Sequence, residues 1–229
     1  MSQESSFSLP LLEWCYVPAG RVKIEGVVCN VNAFWMAKYP ITYAQYEAFV
    51  NDKGYSTRTY WTDAGWQWKG NTTEPRHWRD SEWHIPTHPV IGVSWYESYA
   101  FTRWLSAKTK LQITLATESQ WQRAAQGDDG REYPWGNQFD ETRCNSRESG
   151  MGKTTPVTQY PNGASPFGVW DMNGNVWEWC LSKFAYDYFF PEDNSVDGTA
   201  FRAERVARGI KVIGLVSSAS VNVSAAIPI

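Results

Sequence analysis

One stretch of fourteen residues, Phe167 to Cys180 (FGVWDMNGNVWEWC), constrains this chain more than any other. Gly168, Asn173, Gly174 and Asn175 sit there inside a run of bulky apolar side chains. Glycine and asparagine accept positive φ at least cost, so the backbone turns sharply. Trp170, Trp177 and Trp179 anchor that turn in a core. Carbonyls buried in such a turn need partners, and Asp171 and Glu178 flank it with carboxylates. An oxygen-only cage for a hard cation such as Ca2+ is one solution. The other is a pair of carboxylates that cap turn amides while the tryptophans supply stability.

The remainder of the chain suits such a turn. Fourteen tryptophans, twelve tyrosines and ten phenylalanines accompany seventeen glycines, which favours irregular segments pinned by rings over a helical bundle. At 229 residues, with no internal repeat or low-complexity linker, residues 1–229 read as a single domain. A net charge of -3 leaves no nucleic-acid footprint. No apolar run approaches the ~20 residues that cross a bilayer, and the opening MSQESS lacks the features of a signal peptide. The expected location is the cytoplasm, or a surface reached by an unidentified route. Cys15, Cys29, Cys144 and Cys180 are scattered, so buried thiols are favoured over a disulfide framework. His77, His84 and His88 have no close cysteine partner for zinc and read as polar loop residues.

Along the chain, Val22 and Ile24 alternate with Arg21, Lys23 and Glu25 at the strand period, and residues 34–40 form a further strand closed by Pro40. Thr42 and Gln45 have capping-box spacing and predict a helix to about Asn51, with Gly54 beyond its end. Ser94 and Glu97 repeat the spacing for a helix from Trp95 to about Lys108. Thr117 and Gln120 repeat it again for a short helix ended by Gly127. Residues 111–115 read as a short strand and 204–209 as the last coherent one. Residues 55–89 and 182–204, rich in aromatics, read as long ordered loops. The fold class expected is α+β and loop-rich, with short antiparallel strands and two main helices.

Five motifs in order carry a resemblance. They are Tyr39-Pro40-Ile41-Thr42 with Tyr46 and Phe49, the run His88 to Ala100 (HPVIGVSWYESYA), the run Leu115 to Ala125 (LATESQWQRAA), Tyr133-Pro134-Trp135-Gly136, and the Asp171 to Trp179 turn. Together the chain resembles formylglycine-generating-enzyme/sulfatase-modifying-factor domains, a branch of the C-type lectin fold, over about residues 12–209. Residues 210–229 diverge. The resemblance implies a structural Ca2+ held by the side chains of Asp171 and Glu178 and the carbonyls of Gly174 and Val176. A second family site would fall near Cys144-Asn145-Ser146, but the loop 148–152 lacks its aspartate.

The oxygen-dependent enzymes of that family hold copper with two cysteines after an R-V-x-R-G-G-S motif, since thiolates suit Cu(I). Here Arg205-Val206-Ala207-Arg208-Gly209 is followed by IKVIGLV, and no cysteine occurs after Cys180. No copper and no formylglycine generation are expected. Iron-dependent relatives that join sulfur to histidine derivatives carry a further helical domain with a histidine/carboxylate triad, for which this chain has no room. A nucleophile elbow is also missing. The chain therefore reads as not an enzyme.

Three readings fit the tail: a rebuilt terminus that still packs, an aberrant reading of a normal gene, or a diversified segment. C-type lectin domains of this subtype are the usual variable proteins of diversity-generating retroelements, whose last segment is varied to change ligand specificity. On that reading Lys211, Val212, Ile213, Leu215, Ser217, Ser220 and Asn222 contact a protein or other macromolecular ligand, together with the aromatic loops. An enzyme or accessory factor of the same family with an altered active site is the alternative. A structural paralogue with neither role is the third.

Overall fold

The computed structural model describes residues 11–184, 191–196, 205–208 and 223–225. Four short strands open it: β1 (Trp14–Val17), β2 (Gly20–Ile24), β3 (Val27–Val31) and β4 (Phe34–Ala37). β2 and β3 form a hairpin around Glu25 and Gly26, whose φ values of 46° and 88° are those of a tight two-residue turn. Val22, Ile24, Cys29 and Val31 point inward from that hairpin while their neighbours face water. β1 pairs antiparallel with β4, from Trp14 opposite Ala37 to Val17 opposite Phe34.

Four helices follow: α1 (Tyr43–Asn51), α2 (Asp63–Lys69), α3 (Trp95–Thr109) and α4 (Glu118–Gln126). All three expected capping boxes are made in both directions, at Thr42/Gln45, Ser94/Glu97 and Thr117/Gln120. Two expectations need correction. The loop expected over 55–89 contains α2, started by Thr62 Oγ1, which accepts from Gly65 N at 3.0 Å. Residues 111–115 form no strand. Ser106 Oγ donates to Ile113 O at 2.8 Å and accepts from Ile113 N at 2.9 Å, so a hydroxyl supplies the hydrogen bonds that a neighbouring strand would give.

The last sheet has the order β6-β5-β7, built on β5 (Trp177–Lys183). β6 (Arg205–Arg208) runs antiparallel to it, with Glu178 opposite Arg208. β7 (Val223–Ala225) runs parallel, from Trp177 opposite Val223 to Trp179 opposite Ala225, and so departs from an all-antiparallel arrangement. Two apolar clusters flank β5. One packs α1 against α3 through Tyr46, Phe49, Phe101 and Trp104 and includes Val176. The other lies under the β2–β3 hairpin and α4 and includes Trp121, Met172 and Cys180. Indole hydrogen bonds tie β5 to the α3 side: Trp95 Nε1 donates to Cys180 O at 2.9 Å and Trp179 Nε1 to Val93 O at 3.1 Å. The result is the α+β, loop-rich class expected.

Candidate metal centre

The chain enters β5 through a turn that most side chains could not make. Asp171 and Asn175 hold φ of 55° and 61°, and Gly174 holds 124°. Aspartate and asparagine are the non-glycine residues best suited to the left-handed region. Position 174 admits no side chain, because a Cβ there would lie 2.7 Å from Asn145 O. Asn175 is the hub. Its Nδ2 donates to Asp171 Oδ2 at 2.9 Å and Thr155 O at 3.0 Å, and its Oδ1 accepts from Thr155 N at 2.9 Å and Asn145 Nδ2 at 3.1 Å.

The two carboxylates sit at the ends of this turn, Asp171 9% exposed and Glu178 3%. Burial pushes the Asp171 carboxyl up to about 7, against the pull of the Asn175 amide. Burial likewise pushes Glu178 up to about 8, and the neighbouring Asp171 charge adds to it. Trp121 Nε1, donating to Glu178 Oε2 at 2.6 Å, works the other way. Among the described residues neither carboxylate forms an ion pair. Ionised carboxylates out of water without a charged partner are costly, even with one neutral hydrogen-bond donor each. Such a pair holds either protons or a cation.

The donor chemistry fits a hard cation. Every candidate ligand is an oxygen, and the carbonyl of Gly174, which accepts from Val176 N at 2.7 Å, keeps a second lone pair. Among the described residues no three His, Cys, Asp or Glu side chains converge as a metal group, so a cation here depends on the carbonyls of Gly174 and Val176. Of the four residues expected at the metal, Asp171, Gly174 and Val176 lie in the turn and Glu178 in β5, the strand that leaves it. The expected ligand-binding residues, Lys211, Val212, Ile213, Leu215, Ser217, Ser220 and Asn222, lie outside the described residues. None of the four cysteines is in a disulfide, and Cys29, Cys144 and Cys180 are buried.

Sequence reasoning took Asn175 only as a turn former and Asn145 only as part of a second family site, and passed over Thr155; the hydrogen bonds among the three shape the turn. Trp177, 39% exposed, lies between two cavities: one of about 570 Å³ towards α4 and one of about 290 Å³ towards Asn145.

A scaffold of three small sheets, four capped helices and a buried acidic turn defines a sulfatase-modifying-factor type of C-type lectin domain. Residues 14–226 match the sulfatase-modifying factor enzyme 1-like domains, and the chain belongs to that family. The match continues beyond residue 209, through most of the segment that the motifs left out. Hercynine oxygenase from Mycolicibacterium thermoresistibile is 34% identical over 170 residues, 68% of this chain and 37% of that protein. The chain spans under two-fifths of the length of the hercynine oxygenases it matches, and formylglycine-generating enzymes are among its relatives too. PvdO from Pseudomonas aeruginosa shares the fold, with a TM-score of 0.64 at 19% identity over 95% of this chain and 94% of that one. Treponema denticola variable protein 1 shares it with a TM-score of 0.56 at 16% identity over 78% and 75%.

These relatives correct one expectation. The absent cysteine pair pointed to a chain that is not an enzyme, yet the relatives that show its family are named enzymes. The physical reason lies in the scope of the argument. A missing reactive pair removes only the chemistry that uses that pair, and a domain can hold a substrate without supplying the reacting group.

Proposed function

We propose that this domain binds a ligand on the face where β5 leaves the Asp171–Glu178 turn, and that the C-terminal segment sets which ligand is bound. One observation carries the reading: Val223–Ala225 pairs along Trp177–Trp179, so the chain's last segment returns to the strand that leads out of the turn. Likeness in fold to Treponema denticola variable protein 1 supports it, and a retroelement-diversified tail is the source of variation it implies. The ligand is a protein or other macromolecule, met through the 210–229 segment and the aromatic loops. Ca2+ in the cage of Asp171, Glu178 and the Gly174 and Val176 carbonyls would hold the turn in place. Its chemistry there is charge neutralisation of the two carboxylates.

The test begins with natural copies of the gene. Differences concentrated in codons 211–222 on an otherwise constant chain support a specificity segment. The full chain and a variant with 211–222 exchanged are then screened against a cell-surface protein array. Bound targets that change with the exchange, at unchanged thermal midpoint, agree with the proposal; targets indifferent to it sink it.

A second reading rests on the 34% identity with a hercynine oxygenase: the chain forms the substrate-holding part of an oxygen-using enzyme. Oxygen uptake that requires both this chain and hercynine would carry that reading, and binding of hercynine too weak to saturate at millimolar concentration would remove it.

A further inference from the structure

The cavity of about 290 Å³ beside the turn combines aromatic rings, two cationic side chains and two buried hydroxyls. Half-buried Trp83 and exposed Trp177 contribute rings, Arg147 and Lys153 stand exposed at its mouth, and Ser146 and Thr154 are buried in its floor. Among the described residues no carboxylate lines it, although the chain carries a net charge of -3. Burial, and after it the Lys153 charge, holds His88, which hydrogen-bonds the lining residue Thr154, below the usual imidazole range.

The cationic loop is fixed from beneath. Asn145 Nδ2 donates to Lys153 O at 2.8 Å, and His88 Nδ1 meets Thr154 Oγ1 at 2.9 Å. Ser146, 6% exposed, has a hydroxyl with no hydrogen bond of normal geometry. The exposed Glu148 carboxylate lies near it, held below its usual range by its own amide and then by that hydroxyl. The contacts of the Ser146 hydroxyl with Glu148 and with the Cys144 thiol fall short of normal hydrogen-bond geometry, so a well-placed ligand oxygen is the better acceptor. A cation is poorly served here, because the lining charges, Arg147 and Lys153, are both positive.

We propose that this cavity binds a small organic oxyanion, a carboxylate or phosphate monoester bearing one flat apolar group. The flat group lies against Trp83 and Trp177, and the oxyanion faces Lys153, Arg147 and the Ser146 hydroxyl. The volume is near the lower end for small-molecule pockets, and charge-assisted hydrogen bonds supply the selectivity. The inference does not use the C-terminal segment, although the cavity shares Gly174, Val176 and Trp177 with the turn and strand of the role proposed above.

Isothermal titration of the full chain with benzoate, phenyl phosphate and the neutral analogue benzamide tests it. Heat from at least one anion at millimolar concentration or below, with none from benzamide, is expected, and the tighter anion identifies the headgroup. Lys153→Met should weaken the bound anion by roughly tenfold or more, with Lys153→Arg restoring most of the loss. Ser146→Ala should weaken it several-fold while leaving the thermal midpoint nearly unchanged, since its poorly aligned contacts in the empty protein contribute little. No heat from either anion, equal binding of benzamide, or anion binding that both variants leave intact would overturn the proposal. So would a midpoint several degrees lower for Ser146→Ala, which would give the hydroxyl a structural role instead.

Discussion

At the residue scale, Asp171 and Glu178 make stability depend on pH in a direction set by whether a cation is bound. Burial raises their carboxyls to about 7 and about 8. In metal-free protein the folded state then binds more protons than the unfolded chain between about pH 4 and pH 8. Their contribution is fully present below the unfolded values near 4 and is lost as pH rises through 7 and 8. The thermal midpoint in excess EDTA should therefore fall from about pH 5 to about pH 8.5, and Ca2+ should reverse most of that fall. Glu178→Gln keeps an acceptor for Trp121 and removes the charge. It should match or exceed the parent at about pH 8.5 in EDTA and lose the response to Ca2+. A parent midpoint flat with pH and blind to Ca2+, measured by scanning calorimetry, would mean the turn holds neither charge nor cation. These two carboxylates were legible in the sequence because the turn that carries them is local. Asn145 and Thr155 were not, since they reach Asn175 from 30 and 20 residues away.

At the scale of single elements, legibility followed the strength of the local signal. The caps of α1, α3 and α4 each lie within four residues, and both of their hydrogen bonds formed. α2 has a one-sided cap with Gly65 at its third position, a weak helix former. Gly65 is there for a tertiary reason: a Cβ would meet the Tyr96 ring at 3.0 Å and Thr62 Oγ1 at 3.1 Å. The false strand at 111–115 was apolar and alternating, but its partner was a serine hydroxyl on α3. The caps are also where an element-scale prediction belongs. Thr117→Ala removes the oxygen that accepts Gln120 N at 3.2 Å and leaves α4 otherwise intact. The expected cost is about 1 kcal/mol, or roughly 2–4 °C in the midpoint for a domain this size. The drop should be equal with and without Ca2+, because α4 reaches the acidic turn through Trp121, one turn beyond the cap. A loss that appears only in the presence of Ca2+ would show instead that the cap positions the Trp121–Glu178 contact.

At the scale of the whole molecule, the two apolar clusters pose the question whether they melt together. β5 belongs to both, with Val176 buried at its entry in one and Cys180 within it in the other. The indoles of Trp95 and Trp179 close the seam by donating to Cys180 O and Val93 O. Every one of these bonds joins segments about 85 residues apart, which is why no window of sequence displayed the seam although its tryptophans were plain. Coupling through a shared strand and buried hydrogen bonds predicts one cooperative transition, with calorimetric and van't Hoff enthalpies equal. Trp95→Phe keeps the ring and orphans the buried Cys180 carbonyl, at an expected cost of about 1–3 kcal/mol. If the clusters are one unit, near-ultraviolet dichroism and amide exchange on α1 and on α4 should shift by the same amount. If α1 and the hairpin under α4 part company in Trp95→Phe, or two transitions resolve in the parent, β5 joins two separately folding halves, and the turn it carries is a hinge between them.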